Sequence, residues 1–334
     1  MSHRISFIEG VPAFSFATKE SGGEGNAWHM LGQGVHADAL PIEFIRAANL
    51  DKYHFAVLPA NAVTASGAVI NTGWGTLYRM YDNQHVDMIP LYDDESNRQW
   101  HWQQHADSME SVANLVIAGD HGSVSACGVL DGGKRAFISI RLNDSSVELF
   151  GHDRIDSHLT FINSVEYGVS IKALTGMIRV VCANTEHAAL RETRNKASIS
   201  HRYAFDAEQI LEMVGVARER LAQYRDVAAF LGSRRYTVDS MADYFQTVFP
   251  SASAKKPVSK LAAAAQDVLF TQPGAQYGEG TFWQLLNACT YVVDHVAGRA
   301  PETRFSSAID GKGASDKNRA WQTAVDMANL APAD

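Results

Sequence analysis

Apolar side chains recur along this chain with two different periods, and the change from one to the other divides it. From Phe55 to Met88 apolar positions alternate with small or polar ones in FAVLPANAV and AVINTGWGTLYRMY, punctuated by Pro59, Gly67, Gly73 and Gly75. That is the pattern of strands. Val124 to Leu130 and Ala136 to Leu142 flank Asp131-Gly132-Gly133, residues that supply the positive φ angles of a tight hairpin turn. Asn143 to Ser146 reads as a second turn and Val147 to Phe150 as a third strand. His158 to Ile162, Val169 to Leu174 and the run beginning at Met177 follow as further strands. Helical spacing in this half is confined to Pro41 to Leu50 and to Asp107 to Ala118, where Met109, Val112, Leu115 and Val116 recur on one face. After His201 the helical period takes over. Ile210, Leu211, Val214, Ala217, Leu221 and Val227 predict a long amphipathic helix over Phe205 to Phe230, with Arg218, Arg220 and Arg225 on its exposed side. Met241 to Phe249, Val258 to Phe270, Thr281 to Val296 and Ala314 to Leu330 add further helices, and Thr281 to Val296 is apolar on most sides, which predicts burial.

The pattern as a whole predicts an α+β protein, an antiparallel or mixed β-sheet core with packed helices and a helical C-terminal region. It divides into a flexible N-terminal segment, 1–27, an α+β core domain, 28–249, and a helical region, 258–334, with PSASAKKP at 250–257 as the linker. The chain is organised around Met177 to Arg202. Met177, Ile178, Val180, Val181 and Cys182 read as a buried strand interrupted only by Arg179. Asn184 and Thr185 each suit a helix N-cap, and Ala188 to Leu190 favour helix, so the strand is expected to feed directly into a helix. A helix N-terminus beside basic side chains can hold an anion such as a phosphate.

Charge sharpens that expectation. A net charge of −8 argues against nucleic acid, yet the charge is uneven. Residues 1–170 hold 10 Lys and Arg against 20 Asp and Glu, residues 171–235 hold 11 against 7, and residues 236–334 hold 8 against 10. A focused basic face binds phosphate despite an acidic whole. Lys172, Arg179, Arg191, Arg194, Lys196, His201 and Arg202 are the candidate nucleic-acid-binding residues, with exposed aromatics such as Tyr167 or Tyr203 to stack on unpaired bases. Ion pairing with the acidic first half accounts for the same cations without a ligand.

Other chemistry is thinly signalled. His101 and His105 in HWQQH would share one face of a helix, but the zincin pattern needs Glu where Trp102 stands. His152-Asp153, with Asp156 and His158, resembles the metal pair of phosphohydrolases, although it follows a strand and a glycine and suits a turn. Walker A, nucleophile-elbow and dinucleotide-binding motifs are missing from the sequence. Cys182 with His187 or His201 could form a nucleophile and base, but its apolar neighbours predict an inert buried thiol. Three widely spaced cysteines, Cys127, Cys182 and Cys289, suggest neither a disulfide framework nor a thiolate zinc site and fit a reducing cytoplasm. The N-terminus lacks the order of a signal peptide, and no apolar run reaches about 18 residues, so neither export nor a membrane is expected. No catalytic residue, metal ligand or cofactor is assigned.

Several motifs together resemble one family, the phage/plasmid-like proteins of domain-of-unknown-function family 932. They are AWHMLG at Ala27 to Gly32, GVLDGG at Gly128 to Gly133, the turn Phe150-Gly151-His152-Asp153, IRVVCANT at Ile178 to Thr185, SISH at Ser198 to His201, and GTFWQLLNACTYVVDH at Gly280 to His295. The segment from Asn163 to Gly168 departs from the Asn-Ser-His-Asp-Gly form associated with the family and lacks its His. The resemblance implies a protein carried by phages, prophages and plasmids. Joined to the basic segment, it leads to the expectation of a non-enzymatic, cytoplasmic protein that binds single-stranded DNA, as in ATP-independent strand annealing, and assembles as a homo-oligomer. The alternatives are a metal-dependent phosphodiesterase or nuclease using His152, Asp153, Asp156 and His158, and an acidic protein that binds a host partner in counter-defence.

Overall fold

The computed structural model describes residues 5–18, 32–91, 100–151, 153–179, 184–186, 196–202, 206–253, 255, 257–298, 307 and 311–331. Of the expected N-terminal segment, 1–4 and 19–27 lie outside these residues, as do His152, Cys182, Arg191, Arg194 and Tyr203.

The hairpin forms where the turn residues place it. β8 (Gly122–Leu130) and β9 (Arg135–Leu149) pair antiparallel from Leu130 opposite Arg135. Asp131, Gly132 and Gly133 all take positive φ between them. Gly133 is required twice over, because a Cβ there would lie 2.7 Å from the Tyr53 ring. β10 (Asp153–Ser164) and β11 (Ile171–Arg179) continue the sheet antiparallel. On its other side stand β3 (Phe14–Ala17), antiparallel to β8, and β4 (Gln33–Val35), parallel to β3, so the sheet is mixed. At the opposite edge β12 (Asn184–Glu186) and β13 (Lys196–Ile199) both pair with β11, giving eight strands. β1 (Phe7–Ile8) and β2 (Val11–Pro12) make a small separate hairpin. β5 (Phe55–Val63), β6 (Val69–Arg79) and β7 (Gln84–Pro90) make a three-stranded antiparallel sheet.

Two expectations are corrected. The turn expected at Asn143 to Ser146 is absorbed into β9, which runs unbroken to Leu149. Asp144 takes φ of 51°, and the register slips so that Arg141 faces His158 while Ser146 faces Asp156. Turn-forming residues become a bulge because β10 offers ladder bonds on both sides of them. Secondly, Asn184 and Thr185 do not cap a helix. They lie in β12, antiparallel to β11 and opposite Arg179 and Ile178, so both are strand positions and not caps.

Three apolar clusters are found among the described residues, the smallest of them around Phe14 and Phe137, and the two larger ones hold the layers. In the first, α1 (Pro41–Ala47) and α2 (His105–Ala118) cover one sheet face through Phe44, Ile45, Met109, Val112 and Val116, against Ile138, Leu159 and Phe161. The Gln104 cap of α2 makes no side-chain cap bond. A cap contributes about 1 kcal/mol, whereas each fully buried large apolar side chain contributes about 1.5–3 kcal/mol, so packing and not capping fixes this helix. The second cluster sets α3 (Leu211–Gly232), α4 (Val238–Val248), α5 (Lys260–Val268), α6 (Phe282–Tyr291) and α7 (Lys312–Leu330) around Leu149, Ile155 and Met177 of the sheet. Phe282 to Thr290 of α6 are all buried, as their all-round apolar pattern predicted, and a π-helical turn, Val292–Val296, follows. Buried Trp283 donates from Nε1 to Asp153 Oδ2 at 3.2 Å, tying α6 to the first residue of β10.

Candidate nucleic-acid interface

The site is built where the ends of four segments meet. The chain enters α2 through Trp100 to Gln104, which belong to no helix, so His101 and His105 do not share a helix face as a metal pair would need. Gln104 instead imitates a strand, accepting from the Phe55 N–H at 3.1 Å and donating to the Phe55 carbonyl at 2.8 Å, which fixes β5 to the start of α2. His105, fully buried, has Nε2 2.9 Å from the Gly133 carbonyl and Nδ1 3.1 Å from Asn163 Nδ2. Those partners assign the proton to Nε2, leaving Nδ1 to accept from the amide. Burial pushes its pKa down to about 4, against the pull of the Gly133 carbonyl and with help from nearby His201. The ring is therefore neutral.

His201 follows β13 and is also buried. It clasps the segment entering α2 twice, since the His101 N–H donates to the His201 carbonyl at 2.7 Å and Nδ1 lies 3.0 Å from the His101 carbonyl. Burial lowers its pKa, opposed by the backbone of His101 and Ser164 and reinforced by the His101 side chain. Aromatic rings run outward from it. The Trp100 ring lies 4.7 Å from His201, Tyr167 lies 5.0 Å from Trp100, and Trp74 of β6 meets Tyr167 edge-on at 5.5 Å. Tyr167, in the turn between β10 and β11, is 46% exposed and is held by a hydrogen bond from its backbone N–H to Asp87 Oδ2 at 2.8 Å. The group thus grades from a buried imidazole to an open phenol.

Three buried polar atoms in this group make no hydrogen bond of ordinary geometry: Trp100 Nε1, Asn163 Oδ1 and His201 Nε2. Asn163 spends its Nδ2 on the Gln103 carbonyl and His105, 3.1 Å from each, and its oxygen is left over. All three atoms are closed to solvent, and the Ser164 backbone lies near enough to act on the His201 ring, so they stand as unmatched polar atoms inside the group and not as an open polar edge.

The structure brings part of the expected basic set to this edge. Lys172 lies on β11 opposite Ser198 of β13 and is half-buried; Lys196 lies on β13 opposite Leu174; Arg202 is exposed just beyond His201. Arg179 ends β11 opposite Asn184, on the stretch where β12 and not β13 is paired. Buried and neutral, His201 supports Trp100 from beneath and is not shaped as a phosphate contact. Trp74 and Trp100 were not singled out from sequence; His105 was weighed only as one of a metal pair with His101, and Asn163 only as the start of the segment that departs from the family form. Elsewhere, Asp156 is engaged by Arg154 Nε at 2.8 Å, and His158 Nδ1 lies 3.4 Å from Ser139 Oγ. Among the described residues no group of three or more His, Cys, Asp or Glu could hold a metal ion. Burial raises the Cys127 thiol to about 12 and lifts Cys289 well above its ordinary value, which leaves both unreactive. No described helix is long and apolar enough to cross a membrane.

No curated protein matches the chain, and no solved structure matches it either. One family model does, over residues 95–321, about two thirds of the chain and including Trp100, His105, Asn163, Tyr167 and His201. The chain belongs to the family described as a domain of unknown function, DUF932.

Proposed function

We propose that this protein binds single-stranded DNA by laying unpaired bases on the aromatic group at the end of the main sheet. The observation that carries the reading is the run of ring contacts Trp74, Tyr167, Trp100 and His201, open at Tyr167 and closed at His201; exposed Arg202 follows His201 in the chain, and Lys172 and Lys196 are positions of the strands β11 and β13 that lead to it. Every base has a face to stack, and base–aromatic stacking contributes about 1–3 kcal/mol per base. Cations at the strand edge would follow the phosphates. The acids nearby are partly answered: Glu166 pairs with Lys134 at 3.4 Å, and Asp87 accepts the Tyr167 N–H. Annealing of complementary strands by an assembly of copies is the finer form of this proposal.

Fluorescence anisotropy with labelled oligo-dT and a matched duplex tests it. The expected result is single-strand preference, affinity that falls steeply with salt, and a loss in Tyr167→Ala of about 1–3 kcal/mol. Melting should stay unchanged because that ring is half-open. Arg202→Ala should lower the salt slope by about 1. Failure to bind at low salt, or a Tyr167→Ala variant that binds as well as the parent, overturns the reading.

A further inference from the structure

Tyr167 takes two of its contacts from the three-stranded sheet. Its ring meets Trp74 of β6 at 5.5 Å, and its backbone N–H donates to Asp87 Oδ2 of β7 at 2.8 Å. The start of the β10–β11 turn is tied to the main sheet instead, through the Val165 N–H to the Lys134 carbonyl at 3.0 Å and the Glu166 N–H to Ser164 Oγ at 3.2 Å. Its far end stands clear of packing: Gly168 has φ of 80°, and a Cβ on it would meet nothing within 4 Å. Asp87 thus bridges the turn to a second sheet at the residue that carries the open ring. The strand is bent to allow this. Leu77 faces Asp87 while Tyr78 faces His85, so Val86 is an extra residue in β7, and bulges of this kind re-aim a side chain. Both carboxylate oxygens of half-buried Asp87 accept backbone N–H groups, Oδ1 from Met88 at 2.8 Å and Oδ2 from Tyr167, which fixes the group in one orientation.

We propose that Asp87 is a positioning residue of this site: its carboxylate fixes the Tyr167 backbone so that the ring stays in contact with both Trp74 and Trp100 while its exposed part is offered to a base. The use of the ring rests on the single-strand reading; its placement does not. Charge gives the proposal a sign of its own. A carboxylate beside a path of phosphates repels them within a Debye length of about 8 Å, so removing one that served no other purpose would tighten binding. Removing one that places Tyr167 weakens binding in spite of the charge relieved.

Near-ultraviolet circular dichroism without DNA and anisotropy with labelled oligo-dT, run on the same full-chain variants, test this. The contacts among Trp74, Tyr167 and Trp100 give the parent an aromatic signature that Tyr167→Ala removes. Asp87→Ala should weaken that signature. Asp87→Asn, which keeps a carbonyl oxygen to accept the N–H, should retain it, and Asp87→Glu, which keeps the charge on a longer arm, should weaken it as Asp87→Ala does. Oligo-dT affinity should fall about tenfold in Asp87→Ala and Asp87→Glu, stay within about threefold of the parent in Asp87→Asn, and fall no further when Asp87→Ala is added to Tyr167→Ala. Spectra and affinities of Asp87→Ala and Asp87→Glu that match the parent's overturn the proposal. So does an Asp87→Asn variant that loses as much as Asp87→Ala, tighter binding by both, or a loss that persists in full on Tyr167→Ala. A parent that binds no oligo-dT sinks the single-strand reading alone, and the spectra then decide whether Asp87 places the ring.

Discussion

Two buried side-chain amides, Gln284 in the helical cluster and Asn163 at the end of the sheet, are treated in opposite ways. Gln284 uses all it has. Its oxygen accepts from Tyr236 Oη at 3.1 Å and the Gly280 N–H at 2.9 Å, and its nitrogen donates to the Leu269 and Ala275 carbonyls at 3.2 and 3.1 Å. Asn163 donates twice and leaves its oxygen idle. The same contrast extends to charge. Lys317 and Asp294 form a buried pair at 2.9 Å between α7 and the π-helical turn, whereas the histidines near Asn163 are neutral and set among rings. Where polar groups close on one another they knit elements together. A buried polar atom left unmatched costs about 1–3 kcal/mol, so Asn163 carries a cost that Gln284 avoids; Arg234 Nε shows that the helical region is not free of such atoms, and the contrast is between the two amides.

The comparison can be broken most forcefully at the ion pair. Lys317→Met removes the buried cation paired with Asp294 and should cost about 3–5 kcal/mol in urea unfolding, while the double variant with Asp294→Leu should recover much of the loss. A single variant with parental stability would show that the pair is not what secures α7.

Acid probes the other region. His105 is held at about 4 in the folded protein against an ordinary 6.5, so below 6.5 the unfolded chain takes up a proton that the folded one refuses. Its contribution is fully present above 6.5, falls as pH drops from there toward 4, and should total about 3 kcal/mol. His201, also depressed, adds in the same sense. Unfolding free energy measured across that range should show the decline, and His105→Gln should flatten it. A pH-independent parent would contradict the buried neutral ring.

A finer measurement weighs the two amides directly. Gln284→Leu should lose about 1 kcal/mol more than Asn163→Leu, because it abandons two donors and two carbonyls where the other abandons one carbonyl and one imidazole nitrogen. Equal losses would remove the distinction between a knitted amide and a half-used one.

The sequence by itself determined what local chemistry decides. Positive φ at Asp131 to Gly133 placed the hairpin, helical spacing located α2 through α7, and uniform apolarity foretold the burial of α6. The exposure of Tyr167 was also legible, whereas His201, expected among the basic contacts, is buried. What tertiary structure alone decided is pairing. Asn184 and Thr185 have a cap's chemistry but lie beside the open edge of β11, where ladder bonds outweigh a cap, and Asn143 to Ser146 bulge within a strand for the same reason. Trp74, Trp100, Asn163 and His201 are far apart along the chain and come together only because the ends of β10 and β13 and the middle of β6 meet near the segment that enters α2. The idle oxygen of Asn163 has no signature in sequence, since whether a polar atom finds a partner depends on every element packed around it.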